Sequence, residues 1–242
     1  MKNKHVFIIV CILILLTLVL PACGGGNSAT TTTKSTAVTT TSAKTTTPSS
    51  TKTTTPPTTS AAKGNSLIDI LGLGANIHSI YFELTMTVTG EEPINMKVWQ
   101  KNTKMREEMS MSGMTIALIF DTDAKIMYTY YPDQKMAMKA TLDSSMLPDS
   151  PMKDTSGILD YSPIVIGTET IDGKVCEIIG YEESGQGSVK MWIWKDKGLP
   201  VKMEMTSGTK TTTIEYKNID LSDIPDSMFE IPDDVTITSI GG

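Results

Sequence analysis

The chain is poor in the side chains on which most enzyme chemistry relies. Its histidines are His5 and His78, its cysteines are Cys11, Cys23 and Cys176, and Arg106 is its single arginine. Past residue 23 only Cys176 remains, so a domain built from later residues holds no internal disulfide. One histidine and one cysteine cannot assemble the usual zinc site. A Ser-His-Asp triad would have to run through His78, and no Gly-x-Ser-x-Gly elbow accompanies it. His78 sits in or just after an apolar stretch, where a structural role is expected. No Walker loop is present, and no Gly-x-Gly-x-x-Gly follows a strand. Gly72-Leu73-Gly74-Ala75 comes closest, inside a predicted helix. Carboxylates are plentiful, but no two are marked out as a glycosidase pair. Four Phe, three Trp and seven Tyr leave little aromatic surface for stacking sugars. The expectation is a protein that is not an enzyme, with no cofactor and no metal.

Acidic residues are missing from the first 68 positions: all 27 lie at or after Asp69, whereas six of the 21 basic ones lie before it. The later part therefore carries 15 basic against 27 acidic side chains, a net −12. Such a charge disfavours nucleic acid and flat docking on anionic lipid, so no nucleic-acid partner is expected.

The start of the chain is informative in another way. Lys2 and Lys4 precede Val6 to Leu20, an apolar run of 15 residues relieved only by Thr17. A bilayer span needs roughly 20 apolar residues, so this run suits the h-region of a secretory signal better than a membrane helix. It ends in Leu20-Pro21-Ala22-Cys23. A leucine three places before a cysteine, with a small residue between, resembles the lipobox of bacterial lipoproteins, although Pro21 departs from the usual small or β-branched residue. The resemblance implies a signal peptide over 1–22, lipidation of Cys23, and a mature protein held to a membrane outside the cytoplasm. An ordinary cleaved signal or a short uncleaved anchor is the other reading.

Residues 27–63 are almost entirely Thr, Ser, Ala, Pro and Lys, without an aromatic, and Val38 is their only large aliphatic residue. That composition cannot bury enough apolar surface to offset the entropy of ordering. Residues 23–65 thus read as a lipidated N-terminus and disordered tether, spanning on the order of 35 Å. The threonines permit O-glycosylation, and a plain spacer is the simpler use.

From Ser66 to residue 242 the pattern is that of one mainly β (α+β) domain. Asn65 or Ser66 can cap a helix that includes Leu67, Ile68, Ile70, Leu71 and Ile77. Strict alternation then opens with Ile80, Phe82, Leu84, Met86 and Val88 on one side and Tyr81, Glu83, Thr85, Thr87 and Thr89 on the other. Turns of two to five residues divide the stretch to Ala140 into six strands. Alternation fails over 143–162, read as a loop with one or two short helices that can act as a lid. It resumes from Pro163 to Ile219, with Asp172-Gly173 and Ser207-Gly208 among the turns. Asp223-Ile224-Pro225-Asp226 reads as a helical turn, and Val235–Ile240 as a last strand. Eleven or twelve strands are too many for a flat sheet, which predicts a strongly curved antiparallel sheet or incomplete barrel.

The order of helix, six-strand meander, helical interruption and second meander resembles the LolA-type lipoprotein-carrier fold, including lipid-binding lipoproteins of the LppX/LprG kind. Tyr130-Tyr131-Pro132-Asp133-Gln134-Lys135 is similar to that family's tyrosine–proline turn. The run from Gly167 to Cys176 is similar to its entry into the second meander. Trp192-Ile193-Trp194-Lys195 with Gly198-Leu199-Pro200-Val201-Lys202 is similar to its tryptophan-to-proline hairpin, and Phe229-Glu230-Ile231-Pro232 to its closing motif. The resemblance implies an apolar cavity between sheet and helices that holds acyl chains, in a protein that transports or senses envelope lipid. The arginine associated with lipoprotein capture in soluble carriers has no counterpart on these motifs, and nothing ties Arg106 to that role.

Fifteen of the 16 methionines fall in the predicted domain. Flexible, polarizable Met side chains suit surfaces that repack around varied apolar guests. The candidate ligand cavity is lined by Leu84, Met86, Met96, Val98, Met109, Met111, Ile116, Leu118, Met203 and Met205, with a lipid or acylated partner as its occupant. The same methionines can instead fill a solid core, making the domain an envelope interaction or adhesion module. Met109-Ser110-Met111, Met136-Ala137-Met138 and Met203-Glu204-Met205 also admit Cu(I). The protein is expected to be monomeric.

Overall fold

The computed structural model describes residues 66–142, 156–185 and 187–240. The signal peptide, Cys23, the tether and the greater part of the predicted lid lie outside the described residues.

Ser66 opens the domain as a helix cap. Its side chain accepts from the Asp69 N–H, and the Asp69 carboxylate accepts from the Ser66 N–H, a reciprocal capping box. Helix α1 (Leu67–Gly72) is only six residues long and passes into a 3-10 turn, Leu73–Asn76. The expected helix through Ile77 is thus cut short. Gly72 and Gly74 weaken it, and Ile77 is already extended.

Twelve strands follow: β1 (Ser79–Val88), β2 (Ile94–Lys101), β3 (Lys104–Met111), β4 (Met114–Asp121), β5 (Ile126–Tyr131), β6 (Met136–Thr141), β7 (Ile164–Ile171), β8 (Lys174–Glu183), β9 (Gly187–Trp194), β10 (Leu199–Ser207), β11 (Lys210–Asp220) and β12 (Thr236–Ile240). They form one open sheet in the order β12-β6-β5-β4-β3-β2-β1-β11-β10-β9-β8-β7. The two predicted meanders are both present. Their seam is β1 against β11, antiparallel, with Leu84 opposite Tyr216 and Met86 opposite Ile214. The Asp172-Gly173 turn has both residues at positive φ, the type that joins twisted strands in a two-residue hairpin.

One pairing departs from the meander. β12 runs parallel to β6, with Thr238 opposite Met138. Residues 221–235 carry the chain there across the sheet. Ile224 and Phe229, with Met228, Ile231 and Val235, pack on Ala117, Ile119, Tyr130 and Ala137. Polar contacts fasten this strap. Lys101 pairs with Asp223 and Asp226 at 3.1 and 3.2 Å, and donates to the Ile224 carbonyl at 2.8 Å. Arg106 donates to the Met228 carbonyl at 3.0 Å and is itself paired with Glu108. The strap's helical turn falls at Asp226–Phe229, not at 223–226, because Pro225 is extended and serves as the cap.

On the opposite face, α1 and the 3-10 segment Ser156–Tyr161 pack over the far end of the sheet. Ile70, Leu71 and Ile158 meet Ile179, Met191 and Ile193 there. Gly198 seats the helix: it lies at positive φ, and a Cβ on it would run into the Ile70 carbonyl. We predict that Gly198→Ala costs at least about 1–3 kcal/mol, since strain and clash act together. Urea unfolding should report it, with Gly72→Ala, where a Cβ meets nothing and helix propensity improves, as the control that does not destabilise.

Candidate functional site

The register decides which side chains share a face, because successive residues of a strand alternate. Cross-strand partners run in rows. One row reads Tyr216, Leu84, Met96, Met109, Ile116 from β11 to β4. The next reads Phe82, Val98, Glu107, Leu118, Thr129, Met138, Thr238 from β1 to β12. On the other side of the first row lie Met191, Met203, Ile214, Met86 and Ile94. Met111 pairs with Met114, and Met205 with Val189 and Thr212.

All ten residues expected to line a cavity therefore belong to one face, the face that carries α1 at its far end. Met86, Met96, Val98, Met109 and Leu118 are buried, while Leu84, Met111, Ile116, Met203 and Met205 are half-buried. The Met-x-Met pairs fall on this face as strand alternation requires. Among the described residues no group of three or more His, Cys, Asp or Glu comes together in a way that could hold a metal ion.

The face also carries polar groups that no motif announces. Glu107 stands mid-row between Val98 and Leu118, with Met105 and Met109 on either side along its own strand. It is half-buried, yet desolvation alone pushes its carboxyl up to about 7. No described residue hydrogen-bonds it. Tyr216 is buried against Phe82, edge-on at 5.6 Å between ring centroids, and burial raises its hydroxyl well above the ordinary tyrosine range. Its hydroxyl too has no partner among the described residues. No fully buried side-chain oxygen or nitrogen in the described part lacks a partner. Glu107 keeps part of its surface exposed, whereas Tyr216 is buried. The signal for Glu107 was in the sequence: it breaks the apolar parity of β3 between Met105 and Met109.

The other face is built differently. Tyr81 and Trp99 pack at 5.1 Å between centroids beneath the strap. Tyr81 donates to Glu83 at 2.8 Å, and burial together with that carboxylate pushes its hydroxyl up to about 12. Toward β8 the indole N–H of Trp192 donates to Glu169 at 2.6 Å, while Lys190 and Lys202 lie over its ring at 4.4 and 4.6 Å. Cys176 is wholly buried there and burial raises its thiol, so it is not a reactive nucleophile. Arg106 lies on this face, over Tyr130 and bound to the strap, away from the methionine rows. His78 is exposed, its carbonyl accepting from the Asn102 N–H at 2.8 Å.

Residues 80–198 match the model of a domain of unknown function, DUF4412. No curated protein matches the chain. Among solved structures, an uncharacterized conserved protein from Thermus thermophilus is similar at 10% identity and TM-score 0.50, over 72% of this chain and 97% of that one. LprF from Mycobacterium bovis is similar at 14% identity and TM-score 0.46, over 70% and 97%. The LolA superfamily protein NE2245 from Nitrosomonas europaea is similar at 14% identity and TM-score 0.34, over 66% and 96%. The likeness to the Thermus protein is one of fold.

A carboxyl that ionises more readily in the unfolded chain than in the folded one links stability to pH. The Glu107 pKa is raised on folding, so its contribution is fully present below the unfolded value near 4.5 and is lost as pH rises through about 7. Glu107→Gln should flatten the fall in unfolding free energy between about pH 4.5 and 7. Urea titrations at several pH values would measure this, and a variant whose profile parallels the wild type would contradict the desolvated carboxyl.

Proposed function

We propose that the protein is a membrane-anchored, extracytoplasmic lipoprotein that binds an apolar ligand, a lipid or acyl chain, over the methionine-rich face of its sheet. It carries or senses that ligand at the envelope and is not an enzyme. The observation that supports the reading is the methionine-rich band from β11 to β4, whose face also carries the Glu107 carboxyl and the Tyr216 hydroxyl, neither hydrogen-bonded by a described residue. A solid core has no use for such oxygens, since buried polar groups are ordinarily hydrogen-bonded. Strands at about 4.8 Å spacing give the band from β11 to β4 a width of roughly 20 Å, the reach of a C16 chain. Each buried methylene contributes about 0.8 kcal/mol before ordering costs, so one such chain supplies ample driving force. The sequence Leu20-Pro21-Ala22-Cys23 supports the anchor, and the Thr-rich segment after it supports a tether.

Two experiments test this. A bulky residue in the middle of the band, as in Met109→Trp or Leu118→Trp, should abolish binding of a fluorescent C16 fatty acid or acylglycerol and leave thermal unfolding nearly unchanged. A solid core would instead lose about 1–3 kcal/mol to overpacking. Absence of binding by the delipidated wild type, with marked destabilisation of both variants, would favour an interaction module without a cavity. For the anchor, Cys23→Ser should yield an unlipidated precursor or a shed protein. Unchanged membrane fractionation and mass would rule the anchor out.

A further inference from the structure

From the position of Glu107 we infer that the lipid site selects acyl lipids whose polar part is uncharged and accepts hydrogen bonds, such as the ester carbonyls of an acylglycerol. The Glu107 carboxylic acid donates to that acceptor, and the ligand is released as the acid ionises. This rests on the lipid-binding reading above and names its ligand class.

Charge is the first constraint. Along the strand positions of this face from β1 to β6, no lysine, arginine or histidine occurs, so a phosphate or a free carboxylate finds no cation among them. Glu107 is the acidic residue of those rows. The groups set against it are apolar or neutral: Val98 with Met96 and Gln100 from β2, Leu118 with Ile116 and Phe120 from β4, and Phe82 from β1 beyond. Tyr216 of β11 stays neutral across the physiological range, because burial raises its hydroxyl. The chain neighbours Arg106 and Glu108 alternate to the other face and pair with each other there. Without a cation to hold its charge, the carboxyl is disposed to be the neutral acid, which has one O–H to donate. Desolvation places its titration at about 7, so ordinary pH changes move it between donor and anion. An anion facing an ester carbonyl brings two acceptors together, and covering it with acyl chain costs its remaining hydration.

The test uses the purified full chain, delipidated, and three fluorescent probes that share one acyl chain: a diacylglycerol, the free fatty acid and the alkylammonium. The diacylglycerol should bind tightest at pH 6 and weaken about tenfold by pH 8.5. Glu107→Gln keeps a neutral donor, so its affinity should match the wild type at pH 6 and remain flat to pH 8.5. Glu107→Leu should bind severalfold more weakly at pH 6, also without pH dependence. Thermal unfolding confirms that each variant is folded, and the Gln profile decides the matter where Leu is not. Wild-type diacylglycerol binding that is flat with pH and unaffected by either variant would overturn the inference and leave lipid binding standing. Preference for the alkylammonium, tightening as pH rises, would overturn it in favour of a cationic ligand. No binding of any probe at any pH would overturn both readings.

Discussion

The pairing of β1 with β11 is the constraint on which the rest of the structure depends. More than 120 residues separate Ser79 from Lys210 in the chain, and every other antiparallel contact is between neighbours joined by a turn. Without this seam there would be two independent meanders, each with two open edges. With it, Tyr216 and Ile214 continue the rows of Leu84 and Met86, and one apolar face extends over both halves. The bulge between Tyr81 and Glu83 lets β11 turn away at its end and send the strap to the opposite side. The seam is also non-local, so its loop-closure entropy must be met before its contacts are gained. Its register is nonetheless firmly specified. A slip of one residue would place Thr213 and Glu215 among the methionines.

The covers of the two faces are offset. The strap from 221 to 235 lies beneath the first meander, and α1 with the 156–161 turn lies above the second. A sheet with one face covered throughout would leave no room for a guest. The described elements on the upper face lie over the second meander, whereas Glu107 lies on the first and Tyr216 borders it from β11. The distribution of charge follows the same division. Lys101, Arg106 and their carboxylates fasten the strap, so the single arginine is committed to holding the fold.

Much of this was legible in the sequence because period-2 alternation is a local signal. The run from Ile80 to Val88 and the turns at Asn102, Gly113 and Asp172 define strands without reference to anything distant. The six-plus-five division followed from where alternation fails, and the ten residues expected to line a cavity fell on one face because parity is preserved through each hairpin. What escaped depends on contacts far apart in sequence. The parallel pairing of β12 with β6 is set by the strap, through the Thr236 N–H donating to the Lys135 carbonyl at 2.9 Å and Lys135 pairing with Asp234. The apolar positions from Leu67 to Ile77 predict a longer α1 than forms, because Gly72 and Gly74 weaken the helix and Ile77 is already extended. Glu107 escaped attention for a different reason: in a domain of net −12 one more glutamate is unremarked until its row is known.

That glutamate bears on why the face is methionine-rich. The direct cross-strand neighbours of Glu107, Val98 and Leu118, are branched and comparatively stiff. Unbranched Met at 96, 105 and 109 surrounds Glu107 with thioethers that re-pack at small cost. On the proposed reading the methionines and the lone acid act together: the soft lining makes a desolvated carboxyl tolerable, and the carboxyl would give an otherwise apolar surface a means of choosing its ligand.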